Sequence, residues 1–293
     1  MNIRGLHTAI VTPFTASGDV DLDAFARLVD LQIAAGVDGI VVCGSTGEGA
    51  TLTTQEKQLL WRTAAERAAG RAVITAGTGT NYTRSTIELT LAARECGVDA
   101  VLLVTPYYNK PTPAGLLAHF RAISDATDIP KILYNVPGRT GQNVSAETQL
   151  AVAGACPSVI ATKEASANLE QMCEIIRHAP PHFSLLAGDD VLTLPAIACG
   201  ARGVIAVISN YAPRRFGRLV RAALDGDMPA ARAVQMSLMP FFAANFIESN
   251  PIPVKHIMHT LGQIDCEFRL PLSKGSEATQ ETLRTIMKDF VDA

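Results

Sequence analysis

The chain is predicted to be an α/β protein, a (β/α)8 TIM barrel with a C-terminal helical extension. Three observations predict it: eight short apolar runs, amphipathic segments of helix length between them, and a turn that recurs from helix to strand. The runs cover residues 8–11, 39–42, 72–75, 100–104, 131–134, 159–162, 183–186 and 203–207. They are almost continuously apolar rather than alternating, as expected of parallel strands covered on both faces. Between them, apolar residues return every three or four positions, as in Leu22, Phe25, Leu28, Val29 and Ile33, or Leu116, Leu117, Phe120 and Ile123. Thr53 and Thr54 precede one such segment, and Ser145 with Thr148 opens another; hydroxyls there can cap free helix amides. Gly36-Val37-Asp38-Gly39 and Gly97-Val98-Asp99-Ala100 are the same turn twice, the first glycine being the expected left-handed cap. Cys199-Gly200-Ala201-Arg202-Gly203 is a third variant. So many equivalent units fit a closed barrel better than an open doubly wound sheet. Residues 1–212 are assigned to the eight-stranded barrel. Residues 213–293 are assigned to its last helix and the extension, with helical periodicity around 216–224, 230–246, 253–261 and 279–291.

Composition narrows the class of function. With 293 residues, 48% hydrophobic and 18% charged, the chain can bury a large core and has no reason to be disordered. A net charge of -3 lacks the basic excess that binding a phosphate backbone requires, which argues against nucleic acid and for small molecules. The start has no apolar core behind a basic region, and the most apolar stretch, 191–208, is interrupted by Pro195, Gly200, Arg202 and Gly203. Neither a secretory signal nor a membrane span is therefore expected. Six cysteines without C-x-x-C spacing suggest a reducing compartment and no zinc.

In a barrel of this class, active sites form where the strands end, so the residues following each run matter most. Lys163, one of seven lysines, closes an apolar strand there. An amine attacks a carbonyl only when neutral, and desolvation can lower a lysine pKa from about 10.4 toward about 7–8. The protonated Schiff base that results is an electron sink, letting a proton leave the adjacent carbon to give an enamine. The structural alternative is a lysine whose stem packs on the core while its ammonium reaches water. Tyr134 ends the preceding strand and can shuttle protons, or it is a core tyrosine with a satisfied hydroxyl. Gly44-Ser45-Thr46-Gly47-Glu48 offers amides and two hydroxyls before a helix start, suited to a carboxylate or phosphate, or it is a tight turn and cap. Arg139, in Val136-Pro137-Gly138-Arg139-Thr140, is either a bidentate carboxylate clamp or a surface arginine.

Other apparent motifs fail. Gly77-Thr78-Gly79-Thr80 follows a strand, but Tyr82 stands where a dinucleotide fingerprint needs glycine. Asp19-Val20-Asp21-Leu22-Asp23 imitates a calcium loop, yet Ala24 replaces its glycine and Asp30 its closing glutamate, so helix capping explains it better. His256 and His259 share a helical face without a carboxylate pattern and read as surface or interface residues, not metal ligands.

Seven segments in order extend the pattern over nearly the whole chain. They are Gly44-Ser45-Thr46-Gly47-Glu48, Val104-Thr105-Pro106-Tyr107-Tyr108-Asn109-Lys110-Pro111, Tyr134-Asn135-Val136-Pro137-Gly138-Arg139-Thr140, Lys163-Glu164-Ala165, Gly188-Asp189-Asp190, Asn250-Pro251-Ile252-Pro253-Val254-Lys255 and Arg269-Leu270-Pro271-Leu272. Together they resemble the dihydrodipicolinate synthase (4-hydroxy-tetrahydrodipicolinate synthase) family of pyruvate-dependent class I aldolases. The resemblance implies a lyase of diaminopimelate and lysine biosynthesis that condenses pyruvate with L-aspartate 4-semialdehyde. It implies Lys163 as the Schiff-base amine, Tyr134 as its acid–base partner, Ser45 and Thr46 holding the pyruvate carboxylate, and Tyr108 completing a hydroxyl relay from a neighbouring subunit. Arg139 would bind the second substrate's carboxylate, and the Ile205 carbonyl would lie near the site. A cytoplasmic homotetramer, built as a dimer of dimers and needing no metal or organic cofactor, is implied as well.

Two departures stand out. Ser45 replaces the threonine more usual in such synthases, as it does in the related sialic acid lyases; the hydroxyl survives, and Tyr107-Tyr108-Asn109 and Arg139 resemble the synthases. Some relatives bind lysine at a subunit interface through a glutamate and histidines, where this chain has Ser85, Thr54 and Lys57, although Asn81 and Tyr107 remain. Weak or absent lysine feedback is expected. The competing readings are another aldolase of the family, acting on N-acetylneuraminate or a keto-sugar acid, and a non-catalytic barrel that binds a keto acid.

Overall fold

A computed structural model describes residues 1, 3–288 and 290–292. Eight parallel strands close into a barrel in sequence order: β1 (Gly5–Ala9), β2 (Gly39–Val42), β3 (Val73–Gly77), β4 (Ala100–Val104), β5 (Lys131–Asn135), β6 (Val159–Glu164), β7 (Ser184–Ala187) and β8 (Gly203–Ala206). Each overlaps a predicted run, with several bounds shifted, and two of the shifts have one reason. β1 begins at Gly5 rather than residue 8, and β6 continues through Lys163 and Glu164, because His7, Lys163 and Glu164 are polar residues that the barrel nevertheless buries.

Successive strand residues point to opposite faces, so each strand contributes to two cores. Val41, Leu102, Ile132, Ala161, Leu186 and Ile205 point inward and pack with Tyr134 in the barrel interior. Their neighbours, such as Ile40, Val42, Val101, Leu103 and Leu133, point outward and pack under the helices with Phe25, Trp61, Phe120 and Phe216. A fully buried side chain of this size contributes about 1.5–3 kcal/mol relative to an exposed one.

The recurring turn has a defined use. Gly36 and Gly97 take φ 75° and 78°, and the aspartate two residues on accepts a hydrogen bond from the neighbouring strand: Leu6 N donates to Asp38 Oδ2 and Ile74 N to Asp99 Oδ2, both at 2.8 Å. In the third variant a backbone carbonyl does this, Gly5 N donating to Arg202 O. Asn210 fastens β8 to β1: its side chain accepts from Val11 N at 3.0 Å and donates to Ala9 O and Val207 O, each at 2.8 Å. The helix starts agree with the sequence. Thr53 and Glu56 form a reciprocal capping box, Ser145 caps Thr148 N, and Asp21 of the calcium-like segment caps Ala24 N.

Beyond β8 lie helices Pro213–Leu224, Met228–Ala244, Ile252–Thr260 and Glu277–Met287, where periodicity placed them; Ala293, the end of the assigned extension, lies outside the described residues. The extension returns to the barrel mouth. Lys255 Nζ donates to Glu48 Oε1 at 2.7 Å and to Thr12 O at 3.0 Å, lying 4.5 Å and 4.8 Å from the ring centroids of Phe14 and Phe268. Nearby, Arg269 donates to Glu56 Oε1 and Oε2 at 2.5 Å and 2.9 Å, and these bonds hold the Glu56 carboxyl down at about 2. One expectation is corrected here. His256 is a buried packing residue rather than a surface one, its Nε2 accepting from Gly275 N at 3.0 Å and its Nδ1 standing 3.2 Å from Cys266 Sγ, because the 261–276 segment folds back over it. His259 is exposed. Among the described residues no helix is long and apolar enough to cross a membrane.

The Glu48–Lys255 pair is fully buried, so removing one partner leaves a charge without compensation. Lys255→Met is expected to lower stability by about 3–5 kcal/mol, and adding Glu48→Gln to restore part of the loss. Equilibrium urea unfolding of both variants measures this; a single variant as stable as the parent contradicts the account.

Candidate active site

Tyr134 and Lys163 are register partners on β5 and β6, which makes them neighbours on the inner face. Lys163 Nζ lies 4.4 Å from the centroid of the Tyr134 ring, and the two residues are only 5% and 6% exposed. Alternation along β6 fixes this. Ala161 packs in the interior, two residues before Lys163 on the same face, while Thr162 and Glu164 face outward into a polar network. Thr162 Oγ1 donates to Gln149 Oε1 at 2.7 Å. The buried Glu164 carboxylate accepts from Asn135 Nδ2 at 3.0 Å, Gln149 Nε2 at 2.6 Å, Gln171 Nε2 at 3.1 Å and Ser166 N at 2.9 Å. A carboxylate so fully satisfied anchors the strand end and leaves the lysine no freedom to rotate to the other face.

Lys163 and Tyr134 line a cavity of about 80 Å³ together with Ser45, Thr46, Arg139 and Asp189. The loop carrying Ser45 and Thr46 is bounded by two non-glycine residues with left-handed backbone, Cys43 at φ 59° and Glu48 at φ 50°. Such strain persists where surrounding contacts over-determine it. Here the Glu48–Lys255 pair does so, with Thr12 Oγ1 donating to Gly47 O at 2.7 Å. Gly49 is required, since a Cβ there would meet Cys43 O at 2.1 Å. The loop does not lead straight into a long helix: a three-residue 3-10 turn, Gly49–Thr51, intervenes, and helix Thr54–Ala68 opens on its own capping box. The glycines of the rejected 77–80 motif likewise answer to packing, a Cβ at Gly79 falling 2.3 Å from Val104 N.

Arg139 sits in a short helix, Pro137–Thr140, and donates to the Asn250 carbonyl at 3.0 Å. Asn250 is a cavity residue to which sequence reasoning gave no role. Its Nδ2 donates to Thr46 Oγ1 at 2.9 Å, while its buried Oδ1 has no partner among the described residues. It stands some forty residues beyond the last strand, and the only sign of it in the sequence was its place in the segment 250–255. Ile205 is buried in the interior beside Tyr134 without lining the cavity, whose wall on that side is Val207. Tyr108 is not brought to the cavity: it is 90% exposed, at φ 72°.

Two adjacent aspartates follow β7 and differ in their surroundings. Asp190 accepts from Val207 N at 2.9 Å and Ile208 N at 2.7 Å, and burial pushes its carboxyl up to about 6. Burial raises the Asp189 carboxyl as well, opposed by the positive charge of Lys163. Asp189, Ala165 and Phe246 are shared with a second, larger cavity of about 570 Å³ that reaches under helix Met228–Ala244. An amine enclosed beside a phenol, with hydroxyls on one side and a guanidinium on another, can capture a small keto acid and exchange protons with it.

Known proteins share this arrangement along the whole chain. The Dihydrodipicolinate synthetase family matches residues 2–290. A 4-hydroxy-tetrahydrodipicolinate synthase from Maridesulfovibrio salexigens is 45% identical over 288 residues, covering 98% of both chains. The crystal structure of dihydrodipicolinate synthase from Aquifex aeolicus superposes with a TM-score of 0.96 at 44% identity, covering 98% of this chain and 97% of that one. A structure described as the first monomeric dihydrodipicolinate synthase variant gives 0.96 at 40% identity, covering 98% and 96%. With fold, length and sequence in agreement from end to end, the chain belongs to the dihydrodipicolinate synthetase family.

Proposed function

We propose that the chain is a 4-hydroxy-tetrahydrodipicolinate synthase that condenses pyruvate with L-aspartate 4-semialdehyde in the route to diaminopimelate and lysine. The observation that carries the reading is the enclosure of Lys163 Nζ against the Tyr134 ring, in a cavity of about 80 Å³ that suits a three-carbon keto acid. Lys163 attacks the pyruvate carbonyl, water leaves, and Tyr134 moves the protons. Ser45 and Thr46 hold the pyruvate carboxylate, with the Ile205 carbonyl assigned a place near the site by family resemblance. Loss of a methyl proton gives the enamine, which attacks the aldehyde of the second substrate, whose carboxylate Arg139 binds. The substrate amine then closes the ring and displaces Lys163. The iminium is itself the electron sink, so neither a metal nor an organic cofactor enters.

Tyr108 serves a neighbouring subunit's site in this reading, within a homotetramer arranged as a dimer of dimers. Its 90% exposure and left-handed backbone support the assignment, being hard to account for in an isolated chain. Six free thiols, four of them buried, fit a reducing compartment such as the cytoplasm.

Borohydride reduction after incubation with pyruvate is expected to trap a covalent adduct on Lys163, located by digestion and mass spectrometry; an adduct on another lysine sinks the proposal. Arg139→Ala is expected to lower kcat/KM for aspartate semialdehyde by about 10- to 150-fold, the worth of a charge-assisted carboxylate contact, while pyruvate trapping changes little. A non-catalytic keto-acid binder would show trapping and no turnover. At the positions resembling a lysine site, Ser85 and Thr54 carry no charge and Lys57 would repel a cationic ligand. Micromolar L-lysine is therefore expected to inhibit weakly or not at all in a purified assay, and strong inhibition contradicts this.

A further inference from the structure

We propose that the Asp189 carboxylate receives the ammonium group of the second substrate and takes from it the proton that ring closure must release. The inference rests on the condensation proposed above and adds a residue to it.

Asp189 Oδ2 is buried and has no hydrogen-bond partner among the described residues. An oxygen in that condition has lost its hydration without replacement, which is costly unless a cation or donor arrives to satisfy it. The nearby carboxylates need no such ligand: Asp190 is held by the Val207 and Ile208 amides, and Glu164 by the Asn135 and Gln149 side chains. Position says which ligand. Asp189 stands in the wall common to the small cavity of Lys163 and the larger one beside it, where a second substrate must lie for its aldehyde to meet the enamine. Charge agrees with position. The small cavity contains two cationic side chains, Lys163 and Arg139, and one anionic one, Asp189. In the reading above the second substrate's carboxylate goes to Arg139, and its ammonium finds in Asp189 the one anionic side chain that lines the cavity. Burial also raises the affinity of this carboxyl for a proton, which suits it to accept one.

The chemistry requires such a base. Once the new carbon–carbon bond has formed, the substrate nitrogen still carries three protons and has no free electron pair. Transfer of one proton to Asp189 frees the pair, and the nitrogen bonds to the iminium carbon. A second proton then passes from that nitrogen to Lys163 Nζ, and the C–Nζ bond breaks. The cyclic imine leaves protonated, Lys163 is restored as a neutral amine, and Asp189 gives its proton to solvent. No electrons are gained or lost and no co-reactant is consumed.

Asp189→Asn keeps the shape and removes the base, and three readouts separate the possible outcomes. Pyruvate trapping on Lys163 is expected to match the parent enzyme. Capture of succinic semialdehyde by the pyruvate adduct, read by mass spectrometry, is also expected to match, because that aldehyde has the same chain and no amine. Turnover of aspartate semialdehyde is expected to fall about 10²- to 10⁴-fold, with a raised KM and loss of the acid limb of the pH–rate profile. Unchanged turnover overturns the proposal. Equal losses in all three readouts overturn it too, by showing a structural role. Failure of the unmutated enzyme to consume aspartate semialdehyde overturns the underlying condensation as well, and is recognised without reference to the variant.

Discussion

The barrel mouth is organised around one buried charge pair. Lys255 comes from the helical extension and Glu48 from the loop after β2, and both are sealed from solvent under Phe14 and Phe268. Desolvating two charges cancels most of their attraction, so a pair of this kind adds little net stability over an apolar replacement. Its value here is geometric. It fixes a loop that runs through two left-handed non-glycine residues, and it brings the preceding residues of the extension over the mouth, so that Asn250 meets both Thr46 and Arg139. Three chain segments far apart in sequence are registered to one another through it.

The same division between holding and reacting appears on β6. Lys163 and Glu164 are adjacent, oppositely charged and both buried, yet they do not pair, because strand alternation sends them to opposite faces. Glu164 spends its hydrogen-bonding capacity on Asn135, Gln149, Gln171 and Ser166, which immobilises the backbone from which Lys163 projects. Their separation leaves the Lys163 amine facing the cavity and the Tyr134 ring.

Much of the fold was legible because covered parallel strands are apolar on both faces, and because the glycine turn recurs. What escaped were residues whose polarity conflicts with their burial. His7 concealed the start of β1, and His256 reads as a surface residue although the 261–276 segment covers it. Lys163, Tyr134, Ser45, Thr46 and Arg139 were legible as candidates since they follow or end strands, and they do line one cavity. Asn250 and the solitary state of Asp189 were not, because each depends on what the folded chain brings near, and no local spacing encodes that. Tyr108 is exposed and does not line the cavity of its own chain.

Closure of the sheet has a consequence for how copies of this chain can meet. With β8 returned to β1 and the seam stitched by Asn210, the sheet offers no unpaired row of amides and carbonyls for a foreign strand to join. Self-association must therefore proceed through side chains on helices and loops. Recognition between copies is then set by the shape and chemistry of particular residues, a more discriminating basis than backbone pairing, which would accept almost any extended segment.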